Sequence, residues 1–234
     1  MKIALLGFGR MGKTIASMAA SRNHKIVFIQ DKEHSEGTLS EAEVAINFSI
    51  PEAAVSNIQM AMDHQIPVVC GTTGWLNHYD SIVNYCNQKE TAFLYASNFS
   101  IGVNLFLKLN QIIAQLMLPY KKEYTVSLEE IHHIHKLDAP SGTALSLAEE
   151  ILKTGYFNDW ELGGTGANKL NIQSLREGEI PGTHTIHYQS DIDQISIKHE
   201  AFNRDGFALG SLIAAEWIRN KKGVFTMQDV LNIS

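Results

Sequence analysis

The chain is short of several things, and each shortage removes a class of function. Its 234 residues include two cysteines, Cys70 and Cys86, and they do not stand in a CxxC pair. A disulfide framework and a thiolate zinc site are therefore not expected, and both cysteines read as small buried hydrophobes. No apolar run approaches the roughly 20 residues of a membrane span, and the apolar stretch in Met1–Gly7 is far shorter than a signal peptide needs. A cytoplasmic protein without membrane contact is expected. There is no excess of basic residues: the formal net charge of −6 argues against a nucleic-acid partner, because neutralising phosphates needs a basic face. A small anion is still admissible where local cations and backbone N–H groups outweigh a field screened over about 8–10 Å. Lys136, Arg176 and Arg204 are the candidate cations. No internal repeat or low-complexity tract is present.

What is present begins with alternation. Lys2–Leu6, Lys25–Gln30, Val44–Phe48, Pro67–Cys70 and Thr91–Ala96 read as strands, and Met11–Ala20, Pro51–His64 and Leu76–Lys89 as helices. Strands joined by crossover helices imply a parallel sheet covered on both faces. After Asn98 the pattern changes. A long apolar helix over Val103–Leu118 stops at Pro119 and is followed by a strand over Tyr124–Ile131 and a helix over Ser141–Thr154. A glycine-rich loop at 163–166 and strands at Thr183–Gln189 and Gln194–His199 complete this part. The fold class is α/β: a Rossmann-type doubly wound parallel sheet, plus a second α+β unit with a mixed or antiparallel sheet. The tail helix Phe207–Asn220 is expected to return to the first unit. This gives a dinucleotide-binding domain over 1–98 and 207–234 and a second domain over 99–206.

Gly7-Phe8-Gly9-Arg10-Met11-Gly12 follows the first strand and opens the first helix, the setting in which GxGxxG holds a pyrophosphate on helix N–H groups. A structural tight turn is the bland alternative. The strand before, the helix after and Asp31, about 20 residues on, favour the dinucleotide. Asp31 would accept from ribose hydroxyls and favour NAD, whereas Lys32 could meet a 2′-phosphate, so coenzyme preference stays open. Gly71-Thr72-Thr73 and Ala96-Ser97-Asn98-Phe99 follow later strands, and carboxyl ends of parallel strands are where such sheets bind ligands. Ordinary connecting loops are the competing reading.

The stretch 129–144 carries more polar chemistry than a fold requires: His132, His133, His135, Lys136 and Asp138 lead into Pro140-Ser141-Gly142-Thr143. Ser141, Gly142 and Thr143 read as a helix start that favours anions. A proton donor, a fixed cation and a carboxylate-sized anion site in one segment point to an enzyme acting on a small acid. A zinc site on the three histidines is disfavoured: strand alternation would turn His132 to one face and His133 and His135 to the other, so no metal is expected. His135 reads as solvated, Asp138 as a group that orients Lys136, and Arg176-Glu177-Gly178 as a charged turn that could reach a neighbouring subunit.

These residues resemble the 4-hydroxy-tetrahydrodipicolinate reductase (dihydrodipicolinate reductase) family of bacterial lysine and diaminopimelate biosynthesis. Glu130-Ile131-His132-His133-Ile134-His135-Lys136-Leu137-Asp138-Ala139-Pro140-Ser141-Gly142-Thr143-Ala144 matches its E-x-H-H-x-x-K-x-D-A-P-S-G-T-A signature. Gly9–Gly12, Gly71–Gly74, Ser97–Asn104, Arg176–Gly178 and Arg204–Gly210 follow in the family's order. The resemblance implies that His132 donates or accepts the proton and Lys136 acts as a second acid. His133, Ser141, Gly142 and Thr143 would bind a dicarboxylate substrate, and residues 7–12, Asp31, Lys32, 71–73 and 96–99 would hold NADH or NADPH. It also implies a homotetramer assembled through the second domain. The chain departs from the family pattern in a glycine loop one residue shorter, in Ile134 where arginine is frequent, in Asn47-Phe48-Ser49 for Asp-Phe-Thr, and in a short stretch between Asp31 and Val44. Another two-domain NAD(P)-dependent amino-acid or semialdehyde dehydrogenase, or a dinucleotide-binding sensor without catalysis, are the competing functions.

Overall fold

The computed structural model describes residues 1–32, 34–164 and 166–233; Thr165, in the expected glycine-rich loop, lies outside the described residues. The chain forms two compact units, Met1–Ile101 with Asp205–Ser234, and Gly102–Arg204.

Unit 1 is built on strands β1 (Lys2–Leu6), β2 (Lys25–Asp31), β3 (His34–Gly37), β4 (Val44–Asn47), β5 (Val68–Cys70), β6 (Ala92–Tyr95) and β12 (Gly223–Phe225). They stand in the order β12-β6-β5-β4-β1-β2-β3. All pairings are parallel except that of β3, which lies antiparallel to β2. β1 shows why its apolar run is continuous. Ile3 and Leu5 enter one core with Ile15 and Ala19 of α1 (Arg10–Ser21) and Ala208, Leu212 and Ala215 of α6 (Asp205–Ile218). Ala4 and Leu6 enter the opposite core with Ala54 and Ile58 of α2 (Pro51–Asp63) and Ile82 and Cys86 of α3 (Tyr79–Gln88). Alternate residues of one strand thus feed two cores, the arrangement of a sheet covered on both faces. Helix α6 is the expected returning tail, and a short α7 (Met227–Leu231) follows it.

Unit 2 holds a five-stranded mixed sheet in the order β11-β10-β7-β9-β8, formed by β7 (Thr125–His132), β8 (Asp159–Leu162), β9 (Lys169–Arg176), β10 (Gly182–Gln189) and β11 (Gln194–Ala201). Central β7 runs antiparallel to β10 and parallel to β9. Its residues alternate strictly: Val126, Leu128, Glu130 and His132 are buried on one face. Helices α4 (Ile101–Met117) and α5 (Gly142–Lys153) supply Phe106, Ala114, Leu147 and Ile151 to the core containing Val126 and Leu128.

The apolar segment Ile101–Tyr120 is longer than expected, 20 residues with mean hydropathy 1.4, and meets the length of a membrane span. Asn104, Lys108 and Asn110 interrupt it. Phe106, Ala114 and Met117 line one buried face, and the Asn110 side-chain amide donates to Leu147 O at 2.9 Å. One face of the helix thus packs on the core of unit 2, while Leu105, Leu109, Ile112 and Leu116 stand exposed on the other.

Candidate functional site

In unit 1 the candidate loops leave the carboxyl ends of neighbouring parallel strands: residues 7–12 after β1, Phe48-Ser49 after β4, 71–73 after β5 and 96–99 after β6. Strand order reverses at β1, which has β4 on one side and β2 on the other, so these loops sit at a topological switch point. The glycines answer different constraints. Gly7 has φ +102, and a Cβ there would collide with the Phe48 carbonyl; a Cβ at Gly12 would collide with the Gly7 carbonyl. Nothing stands within 4 Å of a Cβ built on Gly9, the N-cap residue just before α1. The result is a bare backbone cradle before a 12-residue helix, which fits a pyrophosphate. Met11 and Phe8 pack against the core, whereas Arg10 is exposed.

The remaining unit 1 residues divide into supports and open positions. Thr72 is buried; its hydroxyl accepts from Ser49 N at 2.9 Å, and its carbonyl accepts from Trp75 Nε1 at 2.7 Å, so it braces the loop. Thr73 and Ser97 are exposed, and Ala96 is half-buried. Asn98 Oδ1 accepts from Ser100 N at 2.9 Å. Phe99 is buried and meets Phe48 at a ring-centroid distance of 5.6 Å. A Cβ on Gly71 would strike the Phe48 ring, so Phe48, not among the expected site residues, shapes two of the loops. Asp31 ends β2, half-buried, and Lys32 follows at φ +50, exposed.

Unit 2 places its chemistry at one end of β7. In register, Glu130 lies opposite His184 of β10 and Ser174 of β9, and His132 lies opposite Arg176. Glu130 is fully buried and accepts from Ser174 Oγ at 2.7 Å and from Ser141 N at 3.0 Å. Arg176 Nη2 stands 3.5 Å from the same carboxylate. His132 is buried, with Nδ1 3.5 Å from Glu130 Oε2, and His184 Nε2 lies 3.6 Å from that oxygen. Arg176 also donates to the carbonyls of Lys136, at 3.2 Å, and Asp138, at 2.6 Å. It therefore fastens the 132–138 loop within its own chain.

Ser141 is buried, and its polar atoms are engaged. Its N–H meets Glu130, its hydroxyl accepts from Ala144 N at 3.2 Å as the cap of α5, and the same hydroxyl lies 3.1 Å from His184 Nε2. It supports the turn, and the exposed positions at the helix start are Gly142 and the half-buried Thr143. Nothing lies within 4 Å of a Cβ on Gly142. Lys136 Nζ donates to both Asp138 oxygens, at 2.8 and 2.9 Å, as expected for a carboxylate that orients it. His133 is half-buried, and exposed His135 meets Glu179 at 3.3 Å.

Electrostatics separate the buried pair. Burial alone would raise the Glu130 pKa, but hydrogen bonds from His184, Ser141 and Ser174 outweigh it and hold the carboxyl well below the usual carboxylate range. Burial lowers the His132 pKa to about 4; Glu130 opposes this, while His184, Lys136 and Arg176 reinforce it. The trio that comes within metal-binding distance is Glu130, His132 and His184, whose candidate ligand atoms lie within 4.8 Å of one another, and not His132, His133 and His135. Its carboxylate is already occupied by N–H and O–H donors, and Arg176 beside it opposes a divalent cation. Glu130, Ser174 and His184 were absent from the expected site because only strand register assembles them.

Unit 1 thus carries a glycine cradle at a switch point, and unit 2 an imidazole beside an exposed helix start. Family comparison is specific. Residues 1–99 match the model "Dihydrodipicolinate reductase, N-terminus" and residues 102–231 the model "Dihydrodipicolinate reductase, C-terminus". The 4-hydroxy-tetrahydrodipicolinate reductase of Christiangramia forsetii is 49% identical, over 99% of this chain and 98% of that protein. The enzyme of the same name from Lawsonia intracellularis is 32% identical, over 95% and 96%. A dipicolinate-bound dihydrodipicolinate reductase from Paenisporosarcina sp. TG-14 superposes with a TM-score of 0.79 at 20% identity, covering 98% of each chain. The chain belongs to the dihydrodipicolinate reductase family. The amino-terminal domain of this family binds NAD(P), and its members use NADH or NADPH.

Proposed function

We propose that this chain reduces 4-hydroxy-tetrahydrodipicolinate to tetrahydrodipicolinate in lysine and diaminopimelate biosynthesis, with His132 as proton donor and Lys136 as the assisting cation. The observation that carries the reading is the convergence, in one unit, of a buried imidazole, an ammonium and the open start of α5. Water is lost from the substrate ring, one ring carbon gains a hydride and a neighbouring one gains a proton. When bound, the reduced nicotinamide supplies that hydride. Residues 7–12, Asp31, Lys32, 71–73 and 96–99 hold the coenzyme, with Thr72 acting from behind the loop. Gly142 and Thr143 N–H groups and His133 receive the substrate carboxylates, and orientation of the ring lowers the barrier. His132 is mostly neutral at pH 7 in the free protein. Two substrate carboxylates supply the negative charge that raises its pKa, so the donor is charged by the molecule it protonates.

Exposed Ile192, Ile195 and Phe202, with edge strand β11, support assembly of a homotetramer through unit 2. The activity of a biosynthetic reductase supports a cytoplasmic location. An NAD(P)H-depletion assay coupled to dihydrodipicolinate synthase, run with each coenzyme, tests the activity. His132→Gln is expected to lower kcat by about 10²–10⁴-fold, the range for a lost general acid. Near-normal turnover in that variant removes the assigned role.

A further inference from the structure

The buried carboxylate of Glu130 is met by Ser141, Ser174, Arg176, His132 and His184, and the reaction as described makes no use of it. Its Oε1 takes the Ser174 hydroxyl at 2.7 Å and the Ser141 N–H at 3.0 Å, and its Oε2 faces His132 Nδ1 at 3.5 Å. His132 Nδ1 is buried and makes no hydrogen bond among the described residues, so what it feels from this carboxylate is its charge at 3.5 Å. An ionised carboxylate selects an N–H over a lone pair at the nitrogen it faces, so Nδ1 carries the proton in the neutral ring. The other nitrogen is turned toward Gly182, where a Cβ would come within 3.0 Å of it. That nitrogen, Nε2, is the one left to give up a proton.

We propose that Glu130 is the positioning residue of this site: one carboxylate fixes the tautomer and orientation of His132 and also holds the Ser141 N–H at the start of α5. The proton donor and the anion-receiving turn are thereby set by a single buried group. When Nε2–H is donated, Nδ1–H stays on the ring facing Glu130, and no proton passes to the carboxylate, as in other carboxylate–imidazole pairs. Among the neighbours that act on it most, Glu130 favours the imidazolium and His184, Lys136 and Arg176 disfavour it. The inference rests on the assignment of His132 as donor.

The test compares kcat–pH profiles of the full-length enzyme with those of Glu130→Gln, His132→Gln and the double variant. Glu130→Gln is expected to lose about 10- to 100-fold in kcat, as for other groups that orient an imidazole. The high-pH limb of its profile should move to lower pH, because the imidazolium loses that favourable charge. In the His132→Gln background the same change should cost almost nothing further. An unmoved limb, or an equal loss in both backgrounds, overturns the proposal, since a carboxylate that merely braced the turn would give either result. Near-normal turnover in the single His132→Gln variant instead defeats the donor assignment, and the inference with it. If Glu130→Gln lacks a cooperative melt, Glu130→Asp carries the test. The limb should then stay in place while kcat falls, because a side chain one methylene shorter cannot meet both His132 and Ser141. Wild-type kcat in Glu130→Asp overturns the proposal.

Discussion

Gly210 lies in the interior of α6, where local propensity alone says that alanine would stabilise the helix by up to roughly 1 kcal/mol. Packing reverses the sign. A Cβ at this position would run into the carbonyl oxygen of Phe99, a backbone atom of a fully buried residue whose ring is held against Phe48. Neither partner is the free end of a flexible side chain. Overpacking costs typically about 1–3 kcal/mol, and a collision with backbone belongs at the upper end. Subtracting the propensity gain leaves a net loss of about 2 kcal/mol, or about 4–8 °C in the melting temperature of a unit this size. Gly206 in the same helix is the control: its Cβ would lie 3.4 Å from Ser100 Oγ, an ordinary contact. Differential scanning fluorimetry with and without NADH should show Gly210→Ala melting earlier and binding NADH more weakly, because residues 96–99 are displaced. Gly206→Ala should track the parent. A Gly210→Ala protein that melts at or above the parent temperature refutes the reasoning.

Other outcomes follow from the same geometry. Because His132 in the free protein titrates near 4 and a dianion raises that value, pyridine-2,6-dicarboxylate should bind with proton uptake near neutral pH, and its affinity should weaken as pH rises. Calorimetry in buffers of different ionisation enthalpy measures this uptake; no buffer dependence would contradict it, and His132→Gln should diminish it. The same depressed pKa means that below about 6.5 the unfolded chain takes up a proton that the folded chain refuses until about 4, so unit 2 should lose stability on acidification across that window. The low carboxyl pKa of Glu130 adds stability that is present above its unfolded value and lost as pH falls further. Melts of His132→Gln against pH should show a flatter slope between 6.5 and 4. Lys136→Ala should raise the substrate KM and lower kcat together in the coupled assay, whereas a change in neither would place Lys136 outside the reaction.

The parts of this molecule that repeat with a regular period were legible in its residues. β1, α1, β4 and α2 carry their apolar spacing openly, and the glycines at 7, 9 and 12 were interpretable because a strand precedes them and a helix follows. β3 was not: His34–Gly37 is polar and exposed and pairs along a sheet edge, so no hydrophobic pattern marks it. β9 was hidden between a glycine cluster and Arg176-Glu177-Gly178, although Leu170 and Ile172 do alternate inward. The site shows the same division. His132, Lys136 and the start of α5 are neighbours in sequence and could be named. Ser141 read as an anion contact because its spacing gives a helix cap, but spacing cannot say that a carboxylate eleven positions earlier takes its amide. Ser174 and His184 join Glu130 through pairing across three strands, information held in register and not in any local run.

Because α6 completes the core that contains Ile3, Leu5 and Ile15, unit 1 needs segments from both sides of unit 2, which is encoded between them without interruption. On a ribosome adding roughly 5–20 residues per second, the early strands must wait several seconds or longer for the helix that covers them. Unit 1 therefore begins before unit 2 and can finish only after it, and its bare face is what a nascent-chain chaperone would meet. Clipping the final thirty residues should unravel the nucleotide-binding half while sparing the inserted one.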